Sequence, residues 1–338
     1  MSTNEGGRPD PLPRTPHAAL TQPDSPHGPC ERVIETVLSR LYVFPDAIYK
    51  WYRPTEAYYG NVRDMPHRRQ FFTNDFEWNA TVSPSVYLEL VGIRYDDEGL
   101  SFSRSPLDEA DDYLIKMRPV SRAATLSELL IDDAATPSHI EQAVLALFAA
   151  QRRLHARFMN ELSDVRERGL PELYAENVSD LLNQLRRAHE FIPLAEAEDA
   201  TARLRAYLER SAYFNDFATH ELTVALDCHT DNVLFTDSGD ELVVIDSMFP
   251  KRNWRVMDEL HTAARVAANA AVLGGADQRA RVYAAYAAIG GRYAEDAALA
   301  HEVRTALMQW SRRHLLGEPE LAERFKAYAL SLLAELGA

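Results

Sequence analysis

Over the first third of the chain, apolar and polar residues come in short bursts; afterwards they settle into a helical period. "ERVIET" (31–36), "RLYVF" (40–44) and "AIYKWYR" (47–53) are rich in β-branched and aromatic residues, and the turn dipeptide Pro45-Asp46 separates the last two. Such runs predict strands. In "MPHRRQFFTNDFEWNATVS" (65–83), Pro66 can open a helix that carries Phe72, Phe76 and Asn79 along one side. "SVYLELVGIRYDD" and "DDYLIKMRPV" predict two further strands. After Pro119 the period becomes helical. Val144, Leu147, Phe148 and Leu154 mark one helix, and "VSDLLNQLRRAHEFI", "TARLRAYLERSAYF", "VMDELHTAARVAANAAVL", "ARVYAAYAAI" and "AERFKAYALSLLAEL" mark others. The expected class is α+β and bilobal. A small β-rich lobe with one helix covers 31–118, and a larger, mainly helical lobe covers 119–338. Residues 1–30 hold too few large apolar side chains to offset the entropy of ordering, so they read as a disordered tail.

One hairpin interrupts the helices. "VLF" (233–235) and "LVVI" (242–245) are joined by "TDSGDE", which contains Gly239. Pairing about Gly239 places Asn232 opposite Asp246 at the open end. An amide oxygen beside a carboxylate suits Mg²⁺, which takes few protein ligands and keeps phosphate or water oxygens for the rest. Asp227 lies five residues before Asn232. A carboxylate close to a metal, yet not needed as its ligand, can orient a hydroxyl and accept its proton. Phosphoryl transfer needs this combination. Singly, the three residues read as a turn cap and two strand ends; their joint spacing is the signal.

Composition narrows the picture. At 338 residues the chain exceeds what one core usually serves, and 46% hydrophobic with 26% charged residues is ordinary for a globular protein. No apolar run approaches the roughly 20 residues that span a bilayer. The first residues lack a secretory pattern, so the cytoplasm is the expected location. Cys30 and Cys228 are the only cysteines, which excludes a disulfide framework and a four-cysteine zinc site. A formal charge of −15 argues against nucleic acid and anionic membrane surfaces. It suits a cationic substrate, as it also suits an acidic soluble protein.

"DCHTDN" (227–232) and "VVID" (243–246) resemble the catalytic loop and metal-binding strand of the aminoglycoside phosphotransferase-like kinases, which share the protein-kinase-like fold. "VIET", "AIYKWYRP", "RRQFFTNDFEWNATVSPSVYLELVGI" and "DYLIKMRPV" are similar to the same family in order, so the likeness runs from about Glu31 to Asp258. The resemblance implies ATP or GTP as phosphate donor, Mg²⁺ as cofactor and a small-molecule hydroxyl as acceptor. By the same resemblance Asp227 is the base, and Asn232 and Asp246 hold the metal. Lys50 contacts the α- and β-phosphates, with Glu77 as its partner. The backbone of Lys116, Met117 and Arg118 takes the adenine edge. Thr36 and Ser39, in the turn "ETVLSR", offer hydroxyls and N–H groups to phosphate. His229 stands where protein kinases carry a lysine that reaches the transferred phosphate. Protonated or hydrogen-bonded, it stabilises charge there; the alternative is a structural histidine.

The chain departs from the family in three places. Ala225-Leu226 replace the usual His-Gly, no glycine-rich loop is present, and Ser247-Met248 follow Asp246. The first departure favours a pseudokinase or nucleotide-binding regulatory module as the alternative, and an AMP transferase on the same fold is a third reading. On the acceptor side the candidates are Asp258, Glu259, His261 and Arg265 on an amphipathic helix, where polar residues are more often solvated than ligating. Asp258 and Arg255 follow Asp246 at a spacing the family also shows, and a buried structural ion pair explains them equally well.

Overall fold

The computed structural model describes residues 15–22, 28–36, 38–54, 56–57, 60–96, 99–103, 109–158, 170–216, 222–227, 229–237, 242–251 and 254–337. The chain divides into two compact units, Met1–Ser121 and Arg122–Ala338.

The first unit is built on an antiparallel sheet. Its strands are β1 (Arg32–Glu35), β2 (Ser39–Val43), β3 (Ile48–Tyr52), β4 (Tyr87–Asp96), β5 (Gly99–Ser103) and β6 (Asp112–Met117), in the order β1-β2-β3-β6-β4-β5. The short, serine-rich β5 gave no apolar signal in the sequence; it forms as the return arm of a hairpin with β4. Helix α1 (Met65–Val82) buries Arg68, Phe72, Asp75, Trp78, Asn79 and Val82, whose spacing of three and four puts them on one face. Phe76, expected on that face, is half-buried. Two ionisable residues in that face need partners. Arg68 donates to Asp112 Oδ1 (2.5 Å) and to the Tyr52 and Val62 carbonyls, while the Trp51 indole N–H donates to Asp112 Oδ2 (2.7 Å). In the expected tail, His17–Thr21 forms one helical turn with Leu20 buried. Residues 1–14 and 23–27 lie outside the described residues.

The second unit opens with β7 (Arg122–Thr125) and α2 (Leu126–Ile131). Thr125 ends the strand and caps the helix, its hydroxyl accepting from the Glu128 N–H while the Glu128 carboxylate reaches back to the Thr125 N–H. Then come α3 (Pro137–Phe158), α4 (Leu170–Arg187), α5 (Leu194–Arg210), β8 (Leu222–Val224), β9 (Val233–Thr236), β10 (Leu242–Val244), β11 (Val256–Asp258), α6 (Leu260–Gly274), α7 (Ala276–Ala288), α8 (Glu295–Leu315) and α9 (Pro319–Glu335). Helix α8 was not legible in the sequence. It is enclosed on nearly every side, and buried His301, Glu302, Arg304, Gln309 and Arg313 interrupt its apolar period. The segment expected to be helical from Val256 begins as strand β11, which pairs with β8.

The hairpin forms, with two corrections. Its register is Val233↔Val244, Leu234↔Val243 and Phe235↔Leu242, one residue from the expected one, so the Ile245 N–H donates to the Asn232 carbonyl. Nor is it isolated, because β9 also pairs with β7 to make a three-stranded sheet. Among the described residues no helix is long and apolar enough to cross a membrane.

Candidate functional site

A register error of one residue flips side chains to opposite faces while the pleat lasts. Here the pleat stops on both sides. Thr230–Asn232 is a 3-10 turn, and Asp246 has φ +51°, a conformation uncommon for residues other than glycine. Asn232 and Asp246 therefore still meet, and the Asn232 amide N–H donates to the Asp246 carbonyl at 3.2 Å. Asn232 is half-buried and Asp246 exposed. The amide nitrogen is thus spent on backbone, which turns the amide oxygen to the other side. That oxygen and a carboxylate make a hard donor pair that fits Mg²⁺. Among the described residues no cluster of three or more His, Cys, Asp or Glu could hold a metal.

Asp227 accepts a hydrogen bond from Arg265 Nη2 at 2.5 Å, and its carboxylate lies 3.9 Å from His229 Nε2. Arg265 is buried on α6, which overturns the expectation of a solvated helix face. Arg265 Nη2 is also 3.3 Å from the His229 ring, and Gln309 Nε2 is 3.1 Å from His229 Nδ1. Burial first, and then the charges of Arg265 and Arg312, drive the His229 ring well below its usual range. At neutral pH it is an uncharged hydrogen-bonding group, which leaves the hydrogen-bonded form of the expected role.

The loop lacks the family's histidine at Ala225, yet it is braced. Ala225 N–H donates to the Arg255 carbonyl (2.7 Å), and the Ser127 and Thr230 hydroxyls share a hydrogen bond of 2.7 Å. Asp231 is held by two consecutive α8 residues, with Arg312 Nη1 at 2.6 Å and Arg313 Nη2 at 2.9 Å. Burial raises the Asp231 carboxyl, but the two guanidiniums outweigh that and hold it well below the ordinary range. A depressed carboxyl contributes stability above its unfolded value of about 3.9 and loses it as the pH falls toward the folded value. The stability deficit of Asp231→Asn is therefore expected to be largest above about pH 5 and to shrink below about pH 4. Denaturation curves of both proteins across that range check it; a deficit independent of pH would refute the assignment.

Asp258 does not pair with Arg255. It is buried at the end of β11, where His301 Nε2 and the Tyr174 hydroxyl each approach it at 2.5 Å and the His261 backbone N–H donates at 3.2 Å. Arg255 lies over the Phe249 ring and donates to the Pro250 carbonyl. Glu259 is half-buried, and His261 is buried.

In the first unit, Lys50 is buried on β3, and the α1 carboxylate beside it is Asp75 at 3.9 Å, not the expected Glu77. Two helix positions are about 200° apart, so residues 75 and 77 cannot share a face. Asp75 has the spacing of Phe72 and Asn79, and that phase was the sequence signal for it. It also accepts from the Tyr52 hydroxyl at 2.6 Å. Thr36 and Ser39 do not present their hydroxyls outward as expected. The two hydroxyls bond each other at 2.9 Å, and the Ser39 and Leu38 N–H groups both donate to Thr36 Oγ1, which makes a self-closed turn. Lys116 and Met117 are flanked by β3 and β4, and the Arg118 N–H donates to the Val86 carbonyl at 2.8 Å.

No protein-family model matches the chain, and no curated protein does. Solved structures do resemble it. A thermostable mutant of an aminoglycoside phosphotransferase, in ternary complex with AMP-PNP and hygromycin B, superposes with a TM-score of 0.52 at 13% identity, over 91% of this chain and 94% of that one. The choline kinase LicA from Streptococcus pneumoniae gives 0.51 at 12% identity, over 90% and 95%. An aminoglycoside phosphotransferase complexed with GDP and kanamycin gives 0.50 at 12% identity, over 96% and 99%. At such identities the likeness is one of fold. The small antiparallel sheet with its single long helix, followed by a helical unit carrying the loop 225–232, is thus the protein-kinase-like fold in the form shared by aminoglycoside phosphotransferases and choline kinases.

Proposed function

We propose that the protein is a small-molecule kinase that moves the γ-phosphate of ATP or GTP to an acceptor hydroxyl. The observation that carries this reading is the meeting of Asn232 and Asp246 at the end of a braced loop that also bears Asp227. Asp227 accepts the hydroxyl proton as the acceptor oxygen bonds to the γ-phosphorus and the bond to the β–γ bridging oxygen breaks, releasing the nucleoside diphosphate. Arg265 fixes the Asp227 carboxylate through one oxygen, which leaves the second to face the acceptor. Neutral His229 orients Arg265 and donates no charge. Asn232 and Asp246 would hold Mg²⁺, which supplies charge neutralisation at the phosphates. Lys50 is the nucleotide-phosphate contact of the first unit, steadied by Asp75.

The pseudokinase alternative drew its support from Ala225-Leu226, and the braces from Ser127, Arg312 and Arg313 weaken that support. The test is Mg-ATP and Mg-GTP binding by thermal shift, then nucleotide consumption with a panel of hydroxyl compounds. A product heavier by one phosphate is expected. A product heavier by AMP would replace the reaction with nucleotidyl transfer, and binding without turnover on a broad panel would return the pseudokinase.

A further inference from the structure

Three carboxylates around the loop are engaged. Asp227 takes Arg265, Asp231 takes Arg312 and Arg313, and Asp258 takes the His301 ring and the Tyr174 hydroxyl. Arg304, on α8, has no such partner among the described residues. It is 3% exposed, its Nε and Nη2 make no hydrogen bond, and its Nη1 reaches only the Met257 sulfur at 3.5 Å. Thioether sulfur is a weak acceptor. The guanidinium lies 5.0 Å from the Trp254 ring and 5.9 Å from the Tyr174 ring. Aromatic faces stabilise a cation but leave its in-plane N–H groups unmet.

Further unmet polar atoms lie on the same pair of helices. On α6 both ring nitrogens of buried His261 and the Thr262 hydroxyl lack partners, as does the Thr305 hydroxyl on α8, and these two helices pack together. Burial, then Arg304, His301 and Arg265, keep the His261 ring well below its usual range, so it is neutral and offers one N–H. The Arg304 guanidinium is lowered to about 10, first by burial, and stays charged at neutral pH. Helix α6 also carries Arg265, one turn beyond His261, and α8 carries Gln309 and Arg312 of the loop brace. The unmet donors thus belong to the same two helices that position the base.

We infer that the acceptor is an anionic hydroxyl compound whose carboxylate or phosphate is taken by the in-plane N–H groups of Arg304 with the His261 ring beside them. The inference rests on the kinase reading and adds the charge class of its acceptor. A cationic amino alcohol would bring a second positive charge against the Arg304 guanidinium, which has no carboxylate hydrogen-bonded to it. The overall charge of −15 is no guide here, because recognition depends on local potential.

The test gives the full chain three sets of compounds: hydroxycarboxylates and sugar phosphates in separate arms, neutral polyols, and amino alcohols. ADP release with Mg-ATP and thermal stabilisation without nucleotide are both read. Anionic compounds in one of the two arms are expected to stabilise the protein and to turn over best. Arg304→Met is expected to weaken that stabilisation at least tenfold in concentration while keeping the shift produced by Mg-ATP, which shows that it folds; Arg304→Lys retains part. Best turnover on amino alcohols overturns the inference and leaves the kinase reading standing. So does anion stabilisation equal in wild type and Arg304→Met, or none in wild type. Anion stabilisation lost in Arg304→Met with no ADP from any compound supports the anion site while removing the kinase reading.

Discussion

Replacing Asp227 by alanine is expected to lower turnover by about 10²–10⁴-fold, the range that a positioned proton acceptor supplies, and to leave nucleotide affinity nearly unchanged. The two effects separate because, on the proposed reading, binding draws on Lys50 and the proposed metal ligands, while proton acceptance draws on the loop carboxylate. Truncation also deprives Arg265, itself 3% exposed, of its 2.5 Å partner. Asp227→Asn is the cleaner variant, since it keeps the shape and a hydrogen-bond acceptor for Arg265 but cannot take up a proton. Steady-state rates paired with nucleotide titrations decide the matter. If Asp227→Asn turned over at the wild-type rate, the base would have to be sought elsewhere.

The largest effect on stability is expected at the Arg68–Asp112 pair of the first unit. Both residues are almost wholly buried, and Arg68 spends its N–H groups on Asp112 and on the Tyr52 and Val62 carbonyls. Removing one partner strands the other charge in a low-dielectric interior, so Arg68→Met should destabilise the unit by about 3–5 kcal/mol. Two apolar replacements of similar volume remove both charges together, and Arg68→Met with Asp112→Leu should recover part of that loss. Urea unfolding of the single and double variants measures it. A double variant weaker by the full sum of the single losses would mean that the pair does not act as a unit. Because Trp51 also donates to Asp112 and neighbours Lys50 on β3, the pair holds the strand that carries the candidate phosphate contact.

The two kinds of site residue differ in how far the sequence exposed them. Asn232 and Asp246 were legible because a strand and its return strand bring them together, and Asp227 because it stands five residues before Asn232. That closeness survived a wrong register, since a 3-10 turn and a positive-φ residue end the pleat where the alternation would have mattered. Asp75 was missed for Glu77 although the phase of Phe72 and Asn79 marked it, because a buried carboxylate on an apolar face reads as an error in the pattern until its partner is known. Thr36 and Ser39 have the composition of a phosphate-binding turn, but their hydroxyls satisfy each other.

Local pattern alone determined the β-then-α order of the chain, most of its strands and helices, and the loop that carries the proposed chemistry, because period and turn residues act over a few positions. Tertiary structure decided the rest. Helix α8 has no apolar period of its own, being enclosed on nearly all sides, and it supplies Gln309, Arg312 and Arg313 to the loop and leaves Arg304 unmet. Whether a buried charge finds its counter-charge depends on residues tens of positions away in the chain. No local pattern encodes that, and only the packing of α6 against α8 settles it.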